Sequence, residues 1–291
     1  MPPGPVAVSA LVALLCLIWG STWLVIREGL DDLPPLTSAA ARFVVAFVVM
    51  AAIARPLARR EGGSRPAAWL WVVVGTLNFA LSYGIVYATE TVLPSGLVSV
   101  LWAVFPLMMA IFGHWLLGER LRAVHWLGFG IGFGGVAMLF VTDLAQFGPG
   151  AIPAALMLFL SPFVSAVGQT CVKRHGTGAS SVLLTRNAMG LGALLLCIAA
   201  LIVERNAPMR WTAAAVGSVL YLAVIGTCLT FTLFFWLLRY TRASRLSVIS
   251  FVTPVVALWL GAVFRGEPVT LTTIAGATLV VLGVALVVRA K

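Results

Sequence analysis

Charge is what this 291-residue chain has least of. Only 10% of its residues are Asp, Glu, Lys or Arg, and only 9 of those are acidic. Soluble domains carry about 25% charged residues. A chain that is 61% hydrophobic, with a mean hydropathy of +1.07, lacks the polar surface to cover a water-soluble globule, so lipid must be its main solvent. Cysteine is also scarce. Cys16, Cys171, Cys197 and Cys228 all lie in apolar runs with no Cys-x-x-Cys spacing, which argues against a structural disulfide or a zinc site. No P-loop is present, which excludes ATP-driven work by this chain alone. The net charge of +10 falls in short loops and not in a surface stripe, so it does not indicate nucleic acid as a partner.

Long apolar runs are what the chain has in their place. Ten reach spanning length: 7–26, 35–54, 67–88, 94–117, 123–141, 150–172, 180–203, 212–238, 244–264 and 270–288. About 20 residues cross the hydrocarbon core as a helix. None of the runs shows the alternation of a barrel strand. Of the 19 basic residues, thirteen fall in the even-numbered joints and the two termini. Arg27, Arg205, Arg210 and Arg265 fall in the odd-numbered joints, and Arg42 and Arg186 at helix starts. That bias predicts cytoplasmic termini.

Two short stretches repeat. Leu117-Gly118-Glu119-Arg120 has a near-copy in Arg265-Gly266-Glu267-Pro268, 148 residues on. At the same offset Ser99 meets Ser247, Pro106 meets Pro254, Gly113 meets Gly261, Gly128 meets Gly276 and Gly135 meets Gly283. Helices four and five therefore match helices nine and ten. Two halves of five helices, 1–145 and 146–291, must enter the membrane from opposite sides because five is odd. The expected fold is an all-α integral membrane protein of ten transmembrane helices arranged as two inverted five-helix repeats. This arrangement puts Glu119 and Glu267 on opposite membrane faces, about 30 Å apart, too far for a shared acid/base role. The expectation is architectural: Gly ends one helix and Glu precedes the next, at its positive dipole end.

At these residues the chain resembles the drug/metabolite transporter superfamily, EamA type. The features shared are five plus five helices, Trp19-Gly20-Ser21-Thr22-Trp23, Pro35-Leu36-Thr37 leading to Arg42-Phe43, and the two Gly-Glu joints. The resemblance covers essentially the whole length. It implies export of amino acids and related metabolites, and the YddG-like aromatic amino acid exporters are one branch. The first helix of the second half lacks the Trp-Gly-Ser motif, which leaves the symmetry weakest between helices one and six.

Polar groups inside a membrane are costly unless they face a cavity or a partner. On that ground the candidate substrate-binding residues are Asn78 and Ser82 on helix three, Ser165 on helix six, Thr227 and Thr230 on helix eight, and Ser247 and Ser250 on helix nine. Trp19, Tyr83 and Trp102 are the aromatic candidates for lining a cavity, packing being the alternative. Pro106 and Pro254 are candidate hinges or static bends. The run from Gly128 to Gly135 formally contains G-x-G-x-x-G (Gly130, Gly132, Gly135), but inside a span the pairs Gly128/Gly132 and Gly130/Gly134 are small residues admitting a close helix, of this chain or of another. Arg42 and Arg186 either bind a carboxylate or, the favoured reading, snorkel to headgroups. No acid lies at the centre of a predicted span, which favours facilitated export or exchange over proton antiport.

The sequence thus predicts a secondary transporter, not an enzyme, without cofactor or metal. It would work by alternating access on a small-molecule substrate, in a bacterial inner membrane. A multidrug or organic-cation exporter is the alternative. A membrane enzyme on a lipid-linked substrate and a scaffold without substrate rank below it. The oligomeric state is left open.

Overall fold

The computed structural model describes residues 5–142, 147–240, 246 and 248–289, and among these it is all helical. Ten spans appear in chain order. They are α1 Pro5–Gly29, α2 Pro35–Glu61, α3 Ala68–Glu90, α4 Ser95–Leu117, α5 Ala123–Thr142, α6 Ala151–His175, α7 Ser181–Val203, α8 at 213–240, α9 Val248–Arg265 and α10 Leu271–Arg289. Eight are long and apolar enough to cross a bilayer, and α5 and α9 contribute shorter apolar stretches. Large apolar side chains such as Leu201, Trp115 and Leu271 stand exposed around the outside, as a lipid-facing surface requires.

The packing has the internal symmetry that the repeat demands. Helix α1 lies along α9 as α6 lies along α4, while α2 packs on its own equivalent α7, and α5 on α10. The α5–α10 seam shows the exchange at atomic detail. A Cβ at Gly135 would sit 2.7 Å from the Gly276 carbonyl, and one at Gly128 would sit 2.8 Å from that of Gly283. The offset of 148 converts each of these contacts into the other. Gly128, Gly132 and Gly135 thus admit a helix of the same chain, with Gly283 itself 2.4 Å from the Gly132 nitrogen for an added Cβ. Gly130 and Gly134 face open space.

Helices α3 and α8, equivalents in the two halves, share a feature that propensity does not announce. Each contains a π-helical turn in its middle, Gly75–Leu81 and Tyr221–Leu229. Subtracting 148 from Leu229 gives Leu81, so both turns end at the same register. A π turn widens the helix and leaves one residue outside the usual ladder. In α8 the Thr227 hydroxyl uses this opening to reach back five residues to the Leu222 carbonyl at 2.7 Å.

The Gly-Glu joints close α4 and α9 in the same way. Gly118 and Gly266 hold φ of 71° and 62°, a left-handed turn that only glycine takes without strain. The next amide, of Glu119 or Glu267, bonds Gly113 or Gly261, in both cases at 3.1 Å. The two glutamates lie at opposite ends of α4, because Glu267 bonds its first residues and Glu119 follows its last. A straight helix of that length spans about 34 Å, so a paired catalytic role is out. One expectation is corrected here. Glu267 does not cap the helix that follows it. Its carboxylate accepts from the Ser95 amide at 2.9 Å, the Ser95 hydroxyl at 2.8 Å and the Gly96 amide at 3.0 Å, capping α4 of the other half. Two further carboxylates do the same. Glu61, ending α2, accepts from Ser181 and Val182 amides at the start of α7. Glu204, just past α7, accepts from the Leu36 and Thr37 amides at the start of α2, both at 2.7 Å. The two halves clasp each other through reciprocal helix caps, each a charged acceptor on free N–H groups.

A buried arginine and its hydroxyl ring: the candidate substrate site

The residues singled out from sequence fall into separate groups. Asn78, in the π turn of α3, donates to the Ser165 carbonyl of α6 at 3.0 Å, and its Oδ1 is buried without a partner. Gly168 makes room for it, since a Cβ there would lie 1.8 Å from that oxygen. One turn on, Ser82 bonds both Ser161 and Ser165 at 2.8 Å, and Trp102 of α4 donates its indole N–H to Ser161 at 3.0 Å. A continuous polar seam thus joins α3, α4 and α6. Trp102 also stacks on Phe105 and faces Trp23. Trp19 lies apart from this seam, edge-on to Phe231 and close to Phe234 of α8.

On α8, Thr230 turns back onto its own helix, bonding the Gly226 carbonyl at 2.9 Å, a common fate for a hydroxyl in a span. Ser250 is half-buried on α9. Ser247 lies outside the described residues. His114 is half-buried near the end of α4, where its ring bonds the Glu119 carbonyl. Pro106 opens the second segment of α4, after a helix break at 103–104, whereas its equivalent Pro254 sits inside an unbroken α9.

The residue that sequence reasoning placed least well is Arg42. It does not snorkel. It is 2% exposed in the middle of the α2, α3 and α8 packing. Its guanidinium donates Nε and Nη2 to the Thr227 hydroxyl at 3.2 and 3.0 Å, and Nη1 to the Tyr87 hydroxyl at 3.4 Å. Its carbon lies 4.8 Å from the centre of the Tyr83 ring and 5.4 Å from that of Phe43, a cation–π setting. None of the carboxylates in the described residues forms an ion pair with it. Arg186, by contrast, is half-buried and donates to neighbouring Asn187, so only one of the two arginines left the interface. Hydropathy ranks both as charges near a helix start. Only the hydroxyls on α3 and α8 distinguish Arg42, and those are remote in sequence.

The end of the bundle bearing the odd-numbered joints is tied shut. Arg265 bonds Glu28 at 2.7 Å and Asp31 at 2.8 Å, Arg210 bonds Asp32 at 2.7 Å, and Glu267 holds α4. Toward the other end a shallow groove runs along α1, lined by Val8, Ser9, Val12, Ala13, Cys16, Leu17 and Val252. Lys173 and Glu119 pair there at the surface.

Ten apolar spans in two related halves, tied together at one end and enclosing buried polar groups, are the architecture of a multi-pass membrane protein. The chain belongs to the EamA-like transporter family, which matches it twice, over residues 7–141 and 152–289. It is 29% identical to the uncharacterized transporter YvbV of Bacillus subtilis, over 95% of this chain and 90% of that protein. It is equally identical to the uncharacterized inner membrane transporter YedA of Escherichia coli K12, over 87% and 81%. A third relative, 25% identical over 94% and 92%, is the E. coli K12 protein described as a "Probable amino-acid metabolite efflux pump". A solved crystal structure shares the fold with a TM-score of 0.65 at 19% identity, over 97% of this chain and 96% of that one.

Proposed function

We propose that this transporter exports amino acids, aromatic or hydrophobic ones foremost, and related small metabolites by alternating access, with Arg42 as the anchor for the substrate carboxylate. The observation that carries the reading is a fully buried guanidinium whose bonding partners, among the described residues, are two hydroxyls. A cation in that position is strongly disfavoured without an anion, and a planar guanidinium is suited to a carboxylate. Tyr83, Phe43 and Tyr87 supply flat apolar surface beside it, and the seam through Asn78, Ser82, Ser165 and Trp102 borders the same helix α3. Thr227 holds the guanidinium in aim until a carboxylate takes its place. Trp19, Thr230 and Ser250 belong to the wall of the path on α1, α8 and α9. A buried arginine repels a cationic drug, which sets this reading above the multidrug one.

Alternating access needs two halves in different conformations at any moment. The break before Pro106, set against the unbroken helix at Pro254, supports both prolines as hinges that exchange roles. The excess of basic residues at the terminus-bearing end supports cytoplasmic termini, so the tied end faces outward and export begins from the terminus-bearing side. The name of the E. coli efflux relative agrees with the substrate class. The test is efflux from preloaded liposomes with a panel of radiolabelled amino acids and their decarboxylated amine counterparts. The amino acids leave and the amines do not. Equal efflux of the amines, or no efflux of any acid, overturns the reading.

A further inference from the structure

Glu90 is the last residue of α3 and is completely buried. Among the described residues neither of its carboxyl oxygens has a hydrogen-bond partner. The nearest engagement is at its backbone carbonyl, which accepts from Arg27 at 2.5 Å. The contrast with its neighbours is sharp. Glu267 and Glu204, at the same end of the bundle, each take three donors. The charges that reach Glu90 are Arg27 from α1, Arg42 from α2 and Glu267 from the α9–α10 joint. On its own helix Tyr87 lies one turn back, bonded to Arg42. The facing turns of α4 and α6 bring no titratable side chain. Neither arginine bonds the carboxyl, and the Glu267 anion opposes a second negative charge beside it. An ionised carboxylate buried without a donor is among the costliest groups a fold can hold, whereas the neutral acid costs far less.

We propose that Glu90 is a proton-binding site of the transport cycle, and that one proton, taken by its carboxylate from water on the odd-joint side, is the condition for closing that end. The step is a single proton transfer: an O–H bond of hydronium breaks as the O–H bond of the acid forms, leaving water. When Glu267 releases Ser95 and Gly96 and that end opens, water reaches Glu90, Arg27 draws it into the ionised form, and the proton leaves. The proposed transport is then linked to protons, in place of the uncoupled exchange that the acid-free span centres suggest. This assignment rests on the alternating-access reading, yet it needs no knowledge of the substrate.

The test uses the full chain in nanodiscs without substrate. Spin labels at Val92→Cys and Val269→Cys, on a background without the four native cysteines, read the separation of the α3–α4 joint from the α9–α10 joint. At acid pH a short distance is expected. A longer one grows in as pH rises, the open-to-closed ratio changing about tenfold per pH unit across the titration. Glu90→Gln gives the short distance at every pH, and Glu90→Asp retains the pH dependence. A distance distribution independent of pH in the parent overturns the proposal, as does an unchanged pH dependence in Glu90→Gln. Infrared titration of the wild-type protein guards against a Gln variant that fails to fold. A protonated-carboxyl band is expected in the closed protein, and its absence overturns the proposal by itself. A failure to move amino acids in liposomes leaves both readouts intact, so the two proposals fail separately.

Discussion

Arg42 shows what one residue can be asked to do. Its guanidinium is positioned by Thr227 and Tyr87 and lies against two ring faces. Lysine keeps the charge but loses the planar fork that a carboxylate bridges. Arg42→Lys is therefore expected to raise the KM for amino acid efflux about tenfold or more, equivalent to about 1.4 kcal/mol, with a smaller effect on folded yield. Initial rates in proteoliposomes, set against size-exclusion yield, check this. An unchanged KM would remove Arg42 from the substrate path. The residue was legible as a charge in a span, and its burial was not, because the hydroxyls that receive it lie 45 and 185 positions away. Glu90 escaped for a different reason. Hydropathy ended the third span at 88, and the helix continues two residues further into protein, not solvent.

At the scale of elements, the helix caps carry the argument. Glu267 makes three charge-assisted bonds to the start of α4, whereas Glu119 pairs with Lys173 at the surface, both side chains about half exposed. Exposed ion pairs contribute about 0–1 kcal/mol, and hydrogen bonds to charged groups about 1.5–3 kcal/mol each. Glu267→Gln should then lower the melting temperature in detergent clearly more than Glu119→Gln, although the two residues are equivalent in the repeat. Equal shifts would contradict the capping role. The glycines of the α5 and α10 pair divide in the same manner. Gly283→Ala places a methyl 2.4 Å from the Gly132 nitrogen, and overpacking of that kind costs about 1–3 kcal/mol or more. Gly130→Ala meets nothing and should be neutral, as thermal unfolding of the two variants will show. The spacing of these glycines predicted a close helix, and the shared 148-residue offset located its counterpart. The π turns in α3 and α8 had no such signal, since nothing in their composition separates them from an ordinary apolar helix. They are visible only as a register that the two halves keep in common.

For the whole molecule, the inverted repeat was the most legible feature, because a duplication leaves its offset in every pair of residues that cannot vary freely. What the offset cannot carry is the difference between the halves. Pro106 follows a break and Pro254 does not, and Glu267 caps a helix start while Glu119 engages Lys173. Symmetry in sequence joined to asymmetry in structure is the arrangement that alternating access requires, since two identical halves in identical poses would be open to both sides or to neither. An inverted repeat requires the two Gly-Glu joints to face opposite sides of the membrane. Single cysteines at Arg120 and Val269 flank them without touching the caps. A membrane-impermeant thiol reagent added to right-side-out and inverted vesicles should label Val269→Cys from the outer face and Arg120→Cys from the inner one. Labelling of both from one side would break the inverted relation, and with it the assignment of the tied end to the exterior and the outward direction of transport.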